Sequence, residues 1–258
     1  FGHDGQAKLY NEYRPRYTKE IVNEIISRVP LRDLYVDVAC GSGQLTALLA
    51  PFFKKSIGLD KSFEQLGQIP KEEVQIEYIA GSAFDLPFES NSVDLLTVAQ
   101  ALHWLVPYET FFKEVNRVLK PGGVFATVGY GFSHPKNEQV KRIGNKFYFD
   151  ILGADKLPGE PGCWWETIRP TIDAHYRDID FPFADTLVRK YLPNTVTMTV
   201  GHYCNYLRTL SAYRTLLRAG TLGDPMVEIE EEMENVVSNQ EHLIDIEYPF
   251  FVVSYVRH

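Results

Sequence analysis

Two carboxylates and two glycines carry the clearest chemistry in this sequence. Asp37 interrupts the apolar run Leu34-Tyr35-Val36-Asp37-Val38-Ala39, the turn Cys40-Gly41-Ser42-Gly43 follows it, and Asp60 closes a second apolar run, Ser56-Ile57-Gly58-Leu59. A charge within a buried strand is costly and needs a reason, which negative charge placed near a cationic group supplies. Glycines at a strand end permit a sharp turn and let a ligand approach the backbone closely. Leu45, Leu48 and Leu49 then begin a helical period, so the segment reads strand, turn, helix, and the start of the helix can receive an anionic group. Asp60, at the end of the next strand, can accept hydrogen bonds from two ribose hydroxyls. The right-handed crossover rule makes the two strands parallel, with both carboxyl ends on the edge where open α/β sheets bind ligands.

A glycine turn of this kind also serves dinucleotides. The dinucleotide fingerprint G-x-G-x-x-G needs a third glycine, but that position is Thr46 here, which weakens an NAD-dependent oxidoreductase reading. S-adenosylmethionine offers the matching parts: a carboxylate, an ammonium, a sulfonium and a ribose. In D-V-A-C-G-S-G followed by G-L-D-K-S, the chain resembles motifs one and two of the class I S-adenosylmethionine-dependent methyltransferases. Ala39 stands where the family usually has its first glycine. The resemblance implies an α/β fold, a doubly wound, seven-stranded, mostly parallel sheet with an antiparallel last strand and a helical cap inserted after strand five. It also implies one methyltransferase domain over residues 1–258, with a lid and first helix in 1–30, a cap and substrate-binding insertion in 131–240, and a final strand in 241–258.

Composition sets limits on partners. The 258 residues carry a net charge of −8 with no basic block, which argues against nucleic acid. No apolar run reaches the roughly 20 residues that cross a bilayer. Three scattered cysteines, Cys40, Cys163 and Cys204, lack metal-ligand spacing and suit a reducing, cytoplasmic compartment. The five glutamates within Glu228 to Glu234 read as a solvated helix face, and no metal is expected. A monomer or weak homodimer is expected. Phe1 in place of an initiating methionine suggests a natural N-terminus further upstream.

The remaining elements must bring these groups together. Thr18 caps a helix whose apolar face is Ile21, Val22, Ile25, Ile26 and Val29. Val74 to Ile79 alternates as a third strand, Val93 to Ala99 is a fourth, Pro107 opens a helix that ends at Lys120-Pro121-Gly122-Gly123, and Val124 to Tyr130 is a fifth. Further helices are expected from Val140 to Ile151, from Trp165 toward Tyr176, and from Thr199 to Leu217. Thr186 to Arg189 reads as the sixth strand and Ile244 to Tyr255 as one long final strand, which the resemblance places antiparallel between strands five and six.

Before Thr18, Tyr10, Tyr13 and Tyr17 flank Arg14-Pro15-Arg16. Packing against the domain surface accounts for these rings as well as a functional role does. The pattern Tyr-x-x-Tyr-Arg-Pro-x-Tyr resembles the N-terminal signature of small-molecule methyltransferases similar to trans-aconitate methyltransferase, which implies a segment lying over cofactor and substrate. Ala-Gln-Ala-x-His-Trp, at residues 99–104, resembles the segment after strand four in the same group and makes His103 a candidate base or substrate orienter. Candidate substrate contacts are Tyr10, Arg14, Tyr17, Trp104, Trp164, Trp165, Tyr206 and Tyr213. The cofactor set is Asp37, Ala39, Gly41, Gly43, Asp60, Lys61, Gln65, Ser82, Ala83, Phe84, Ala99 and Gln100; Ser82 stands where the family often has an adenine-binding acid. The expected activity is methylation of a small molecule; the residues leave the acceptor atom open, and the resemblance to the trans-aconitate methyltransferase group alone implies O-methylation of a small carboxylic acid over N- or O-methylation of another metabolite. A catalytically silent cofactor-binding protein carries the same motifs, and only an activity assay separates the two.

Overall fold

The computed structural model describes residues 12–67, 69, 76–220, 223–238 and 242–258. Its main strands are β1 (Leu34–Val38), β2 (Lys55–Asp60), β3 (Ile76–Ala80), β4 (Val93–Ala99), β5 (Leu119–Tyr130), β7 (Val188–Tyr191) and β10 (Phe250–Val256), with β6 (His134–Pro135), β8 (Asn194–Thr199) and β9 (Leu243–Tyr248) set apart from them. The former build a seven-stranded sheet in the order β3-β2-β1-β4-β5-β10-β7. β1 to β5 run parallel, and β10 is antiparallel to both β5 and β7. Alternation along the central strands sends Tyr35, Leu95, Val124 and Ala126 to one buried cluster and Val36, Leu96 and Phe125 to another. Both faces of the sheet are therefore covered, which explains the near-continuous apolar runs.

The first of these clusters takes in helix α1 (Lys19–Ile26), where Thr18 accepts a hydrogen bond from the Ile21 amide and Ile21, Val22, Ile25 and Ile26 are buried. Just beyond it, Arg28 donates to the carbonyls of Ser254 and Thr186 and ties this end of the chain to β10. Helix α2 (Gln44–Leu49) buries Leu45 and Leu49 on the same face. Between β2 and β3 lies the short helix α3 (Phe63–Leu66), capped by Ser62. On the opposite face, helix α4 (Tyr108–Val118) buries Phe111, Phe112, Val115 and Val118 against the second cluster.

Several expected boundaries move. Lys120 to Gly123 lies within the start of β5, where Val93 pairs with Leu119 but Leu95 already pairs with Val124. The extra residues form an irregularity that Lys120 stabilises through Asp94 at 2.7 Å and Asp33 at 3.2 Å. Val74 and Gln75 fall outside the described residues. The helix expected to Ile151 is α-helical only over α5 (Glu138–Asn145) and continues as a π-helical turn over Lys146–Ile151. From Trp165 toward Tyr176 only α6 (Arg169–Asp173) is regular.

The long final strand is the larger correction. Pro249 separates β9 from β10, and proline cannot donate to a ladder. β9 leaves the main sheet and joins β6 and β8 in a second, three-stranded sheet to which the hydrophobic pattern gives no pointer. The cap accordingly comes in two pieces, one between β5 and β7 and one between β7 and β10. The second piece contains α7 (Val200–Arg208), α8 (Ser211–Ala219) and α9 (Met226–Val237). The acidic face of α9 is paired in part, Glu230 with Arg208 and Glu232 with Lys146, each at 2.6 Å.

Two residues that directly follow adjacent parallel strands hold left-handed backbone: Ala39 after β1 has φ 55° and Gln100 after β4 has φ 52°. A side chain there strains the backbone. Replacing Ala39 by glycine relieves about 1 to 2 kcal/mol of that strain and loses about 0.4 to 1 kcal/mol through the freer unfolded chain. Ala39→Gly is therefore expected to raise the urea midpoint modestly, and a lowered midpoint would contradict this account of the turn.

Candidate active site at the carboxyl edge of the sheet

The site forms where β1, β2, β4 and β5 end. Asp37 is 1% exposed and accepts hydrogen bonds from Thr46 Oγ1 and Thr97 Oγ1, both at 2.6 Å. Thr97 Oγ1 lies 2.8 Å from the Tyr35 hydroxyl. Burial pushes the Asp37 carboxyl up to about 6, opposed by the two threonine hydrogen bonds and helped by the charge of Asp60. The partner that this buried charge demands is thus supplied in part from within, by a helix residue and a residue of the neighbouring strand.

Asp60, also buried, accepts the Gly41 amide on Oδ2 and the Ser62 amide on Oδ1, each at 2.8 Å. Each oxygen retains a second acceptor position. Gly41 and Gly43 both have positive φ, and a Cβ on Gly43 would run into the ring of Tyr78 from β3. No side chain caps the start of α2, whose N-cap is Gly43. A Cβ at Gly41 would have 3.9 Å to Gln65 Oε1, so that glycine is needed for its backbone angle and not for lack of room.

The other cofactor candidates are distributed around this core. Lys61 is exposed, Ala83 and Phe84 are partly buried, and exposed Ser82 accepts the Phe84 amide at 3.1 Å. Ala99 ends β4. Gln100 donates from Nε2 to the Tyr130 carbonyl at 3.2 Å, joining the end of β4 to the end of β5.

Tyr130 in turn connects this edge to the cap. Its hydroxyl accepts from Arg14 at 3.1 Å, while the second Arg14 nitrogen donates to the Thr209 carbonyl at 3.1 Å. The same guanidinium lies 5.5 Å from the ring centre of Tyr206. Tyr206 is 1% exposed and sits in a cluster with Tyr203 and Tyr248. Ser133 Oγ lies 2.9 Å from the Tyr148 hydroxyl and 3.0 Å from that of Tyr203. Burial holds the hydroxyls of Tyr148, Tyr203, Tyr206 and Tyr248 well above the ordinary phenol range, so they remain neutral hydrogen-bonding groups.

Of the remaining substrate candidates, Tyr17 packs edge-on against Phe250, while Tyr10 lies outside the described residues. Trp165 is buried against Phe132, and the Arg169 guanidinium covers the Phe132 ring at 4.2 Å and the Trp165 ring at 4.7 Å. Trp164 is partly buried against the same cluster. Trp104 is 45% exposed beside His103. Tyr213 is turned inward, its hydroxyl donating to Asp224 at 2.7 Å.

His103 is buried, with Nδ1 3.0 Å from the Tyr176 hydroxyl. Burial, and secondarily the charge of Arg169, pull its pKa down to about 3, so the ring is neutral. Thr46, Thr97, Tyr130, Tyr176 and Arg169 join the site without standing out in the sequence. Thr97 interrupts an apolar strand as Asp37 does, and that shared irregularity is the one available signal. Among the described residues no group of His, Cys, Asp and Glu could hold a metal ion, and no helix is long and apolar enough to cross a membrane.

Comparison with known proteins bears on the family. Residues 36–127 match the family model described as a methyltransferase domain. The chain is 31% identical over 252 residues to a Dictyostelium discoideum protein that bears a methyltransferase name, covering 96% of this chain and 91% of the relative. It is 35% identical over 129 residues to a Saccharomyces cerevisiae protein named as an S-adenosylmethionine-dependent methyltransferase, covering 47% of this chain and 44% of that one. A structure from Anaeromyxobacter dehalogenans that bears a type II methyltransferase name superposes with a TM-score of 0.81 at 28% identity, covering 95% of this chain and 100% of its own. With its glycine turn, two edge carboxylates and antiparallel β10, the chain belongs to the class I S-adenosylmethionine-dependent methyltransferases.

Proposed function

We propose that this protein methylates a small molecule bearing a carboxylate, on oxygen, at the edge formed by β1, β4 and β5. The observation that carries this reading is Arg14, whose guanidinium joins Tyr130 at the end of β5 to Thr209 in the cap and lies over Tyr206. A guanidinium in a tyrosine-lined, partly buried setting suits a carboxylate, because charge-assisted hydrogen bonds gain strength where water is scarce.

The residues present fit the cofactor. Asp60 has acceptor capacity left for ribose hydroxyls, Asp37 brings negative charge near a cationic amino-acid end, and the Gly41 to Gly43 turn opens the backbone. Bound, S-adenosylmethionine supplies a methyl group on a sulfonium, which a carboxylate oxygen can displace in line without giving up a proton. The chain's task is then to orient and to exclude water, and orientation alone is worth up to about 7 to 11 kcal/mol. The net charge of −8 supports a small molecule over nucleic acid.

Calorimetry with S-adenosylhomocysteine and with NAD tests the cofactor, and a labelled methyl donor with a panel of small carboxylic acids, phenols and amines tests the acceptor. Binding of the former ligand and labelling of a carboxylic acid are expected; binding of NAD alone, or binding without transfer to any acceptor, would reject the reading. Arg14→Ala is expected to lower kcat/KM for that acid by about 10- to 100-fold, the loss of a charged hydrogen bond, with S-adenosylhomocysteine affinity within about twofold by the same principle.

Asp37 adds a pH dependence. Its folded pKa of about 6 lies above the ordinary 3.8, so its contribution to fold stability is full below pH 3.8 and is lost as pH rises through about 6. Ionisation over the same interval creates the charge that attracts an ammonium group. S-adenosylhomocysteine affinity should therefore rise from about pH 5 to about pH 7 and become nearly flat in Asp37→Asn. Equal slopes in the two proteins, measured by calorimetry, would remove Asp37 from the cofactor site.

A further inference from the structure

Tyr176 lies in the first piece of the cap, outside the residues matched to the family model, and is fully buried. Its backbone is held in an unusual way. His175 and Tyr176 are consecutive non-glycine residues in the left-handed region, with φ 53° and 58°. Residues in that region persist only where the surroundings over-determine them. Here Arg189 from β7 donates to both of their carbonyls, to His175 and to Tyr176 at 3.1 Å each. The His175 ring stacks on Phe251 of β10 with centroids 4.6 Å apart, and the Tyr176 ring meets the same phenylalanine edge-on at 5.3 Å. The strained turn therefore aims one hydroxyl, and its partner is His103 Nδ1 at 3.0 Å.

The other ring nitrogen of His103 faces a different environment. His103 makes no further hydrogen bond to a described residue, yet Nε2 is not among the buried polar atoms left unpartnered. The 8% of His103 that remains exposed thus includes Nε2. A phenol is a better donor than a neutral imidazole N–H, and an imidazole nitrogen is the better acceptor, so the favoured bond runs from the Tyr176 hydroxyl to Nδ1. That bond places the ring proton on Nε2.

We infer that Tyr176 is a positioning residue that fixes His103 as the Nε2–H tautomer, so that His103 donates a hydrogen bond to the methyl acceptor and does not act as its general base. The inference rests on the methyl-transfer reading above. A donor suits a carboxylate acceptor, which has no proton to lose: one oxygen is held by Nε2–H and the other is left to react. The neutral, desolvated state of the ring agrees, since an imidazole whose protonated form is so disfavoured is a weak base at neutral pH. Among the described residues Tyr176 contacts the His103 ring and the charge of Arg169 acts on it, and that positive charge opposes proton uptake further.

Histidine-labelled protein read by 15N NMR, with His103 assigned by its absence from His103→Gln, reports the tautomer directly in the presence of S-adenosylhomocysteine. A protonated Nε2 and a hydrogen-bonded, unprotonated Nδ1 are expected, with mixed tautomers in Tyr176→Phe, which keeps the ring packed on Phe251. A protonated Nδ1 in the wild type would overturn the inference. Kinetics supply the second arm. Tyr176→Phe should lower kcat/KM for the carboxylic acid labelled by the wild type by about tenfold, with S-adenosylhomocysteine affinity unchanged. His103→Gln, which keeps a donor but no base, should exceed His103→Ala by at least about tenfold, as the removal of one oriented donor predicts. Equal loss in both His103 variants, or full activity in Tyr176→Phe, would sink the inference while leaving methyl transfer standing. A wild type that transfers no methyl group would reject the functional reading itself, and the catalytic role of His103 with it.

Discussion

The buried charge of Asp37 is the constraint around which the rest of the edge is built. Removing a carboxylate from water is costly unless hydrogen bonds replace what is lost. Thr46 on α2 and Thr97 on β4 provide them, which couples the glycine turn to the helix on one side and to the neighbouring strand on the other. Tyr35 reaches the same Thr97 from within β1. Asp60 repeats the logic one strand away by holding the Gly41 and Ser62 amides. Negative charge, fixed backbone amides and left-handed residues are thereby concentrated where the strands end.

The cap solves a different problem. Its residues bury many phenols, and a buried hydroxyl must find a partner. Ser133 serves Tyr148 and Tyr203, Arg14 serves Tyr130, and Asp224 serves Tyr213. These bonds connect the end of β5 to the π-helical turn after α5, to α7 and to the N-terminal segment, so the polar network also holds the two pieces of the cap together.

This division bears on what likeness to other methyltransferases can tell. The matched family region, residues 36–127, contains the cofactor motif and His103. Arg14, Arg169, Tyr176 and Tyr206 lie outside it. The likeness to the Dictyostelium relative and to the Anaeromyxobacter structure nevertheless runs through the cap, covering 96% and 95% of this chain.

Much of the frame is legible from the residues in order: the doubly wound sheet, the glycine turn, the two edge carboxylates and the antiparallel strand beside β5. The strands, the turn and the carboxylates depend on local facts, whether an apolar run, a glycine whose angles few residues tolerate or a motif with fixed spacing, whereas the antiparallel placement of the last strand is what the family resemblance implies. Arg14, His103 and Tyr206 stand out in the sequence as candidates, though what they touch does not. Folding in three dimensions settles the rest: Asp37 is answered by Thr46 and Thr97, β9 departs to a second sheet at Pro249, and Tyr176 reaches back to His103 across 73 positions. Those outcomes depend on contacts between segments remote in the chain, and hydrophobic period and turn chemistry, which act over a few residues, carry no information about which distant hydroxyl will meet a given ring nitrogen or carboxylate.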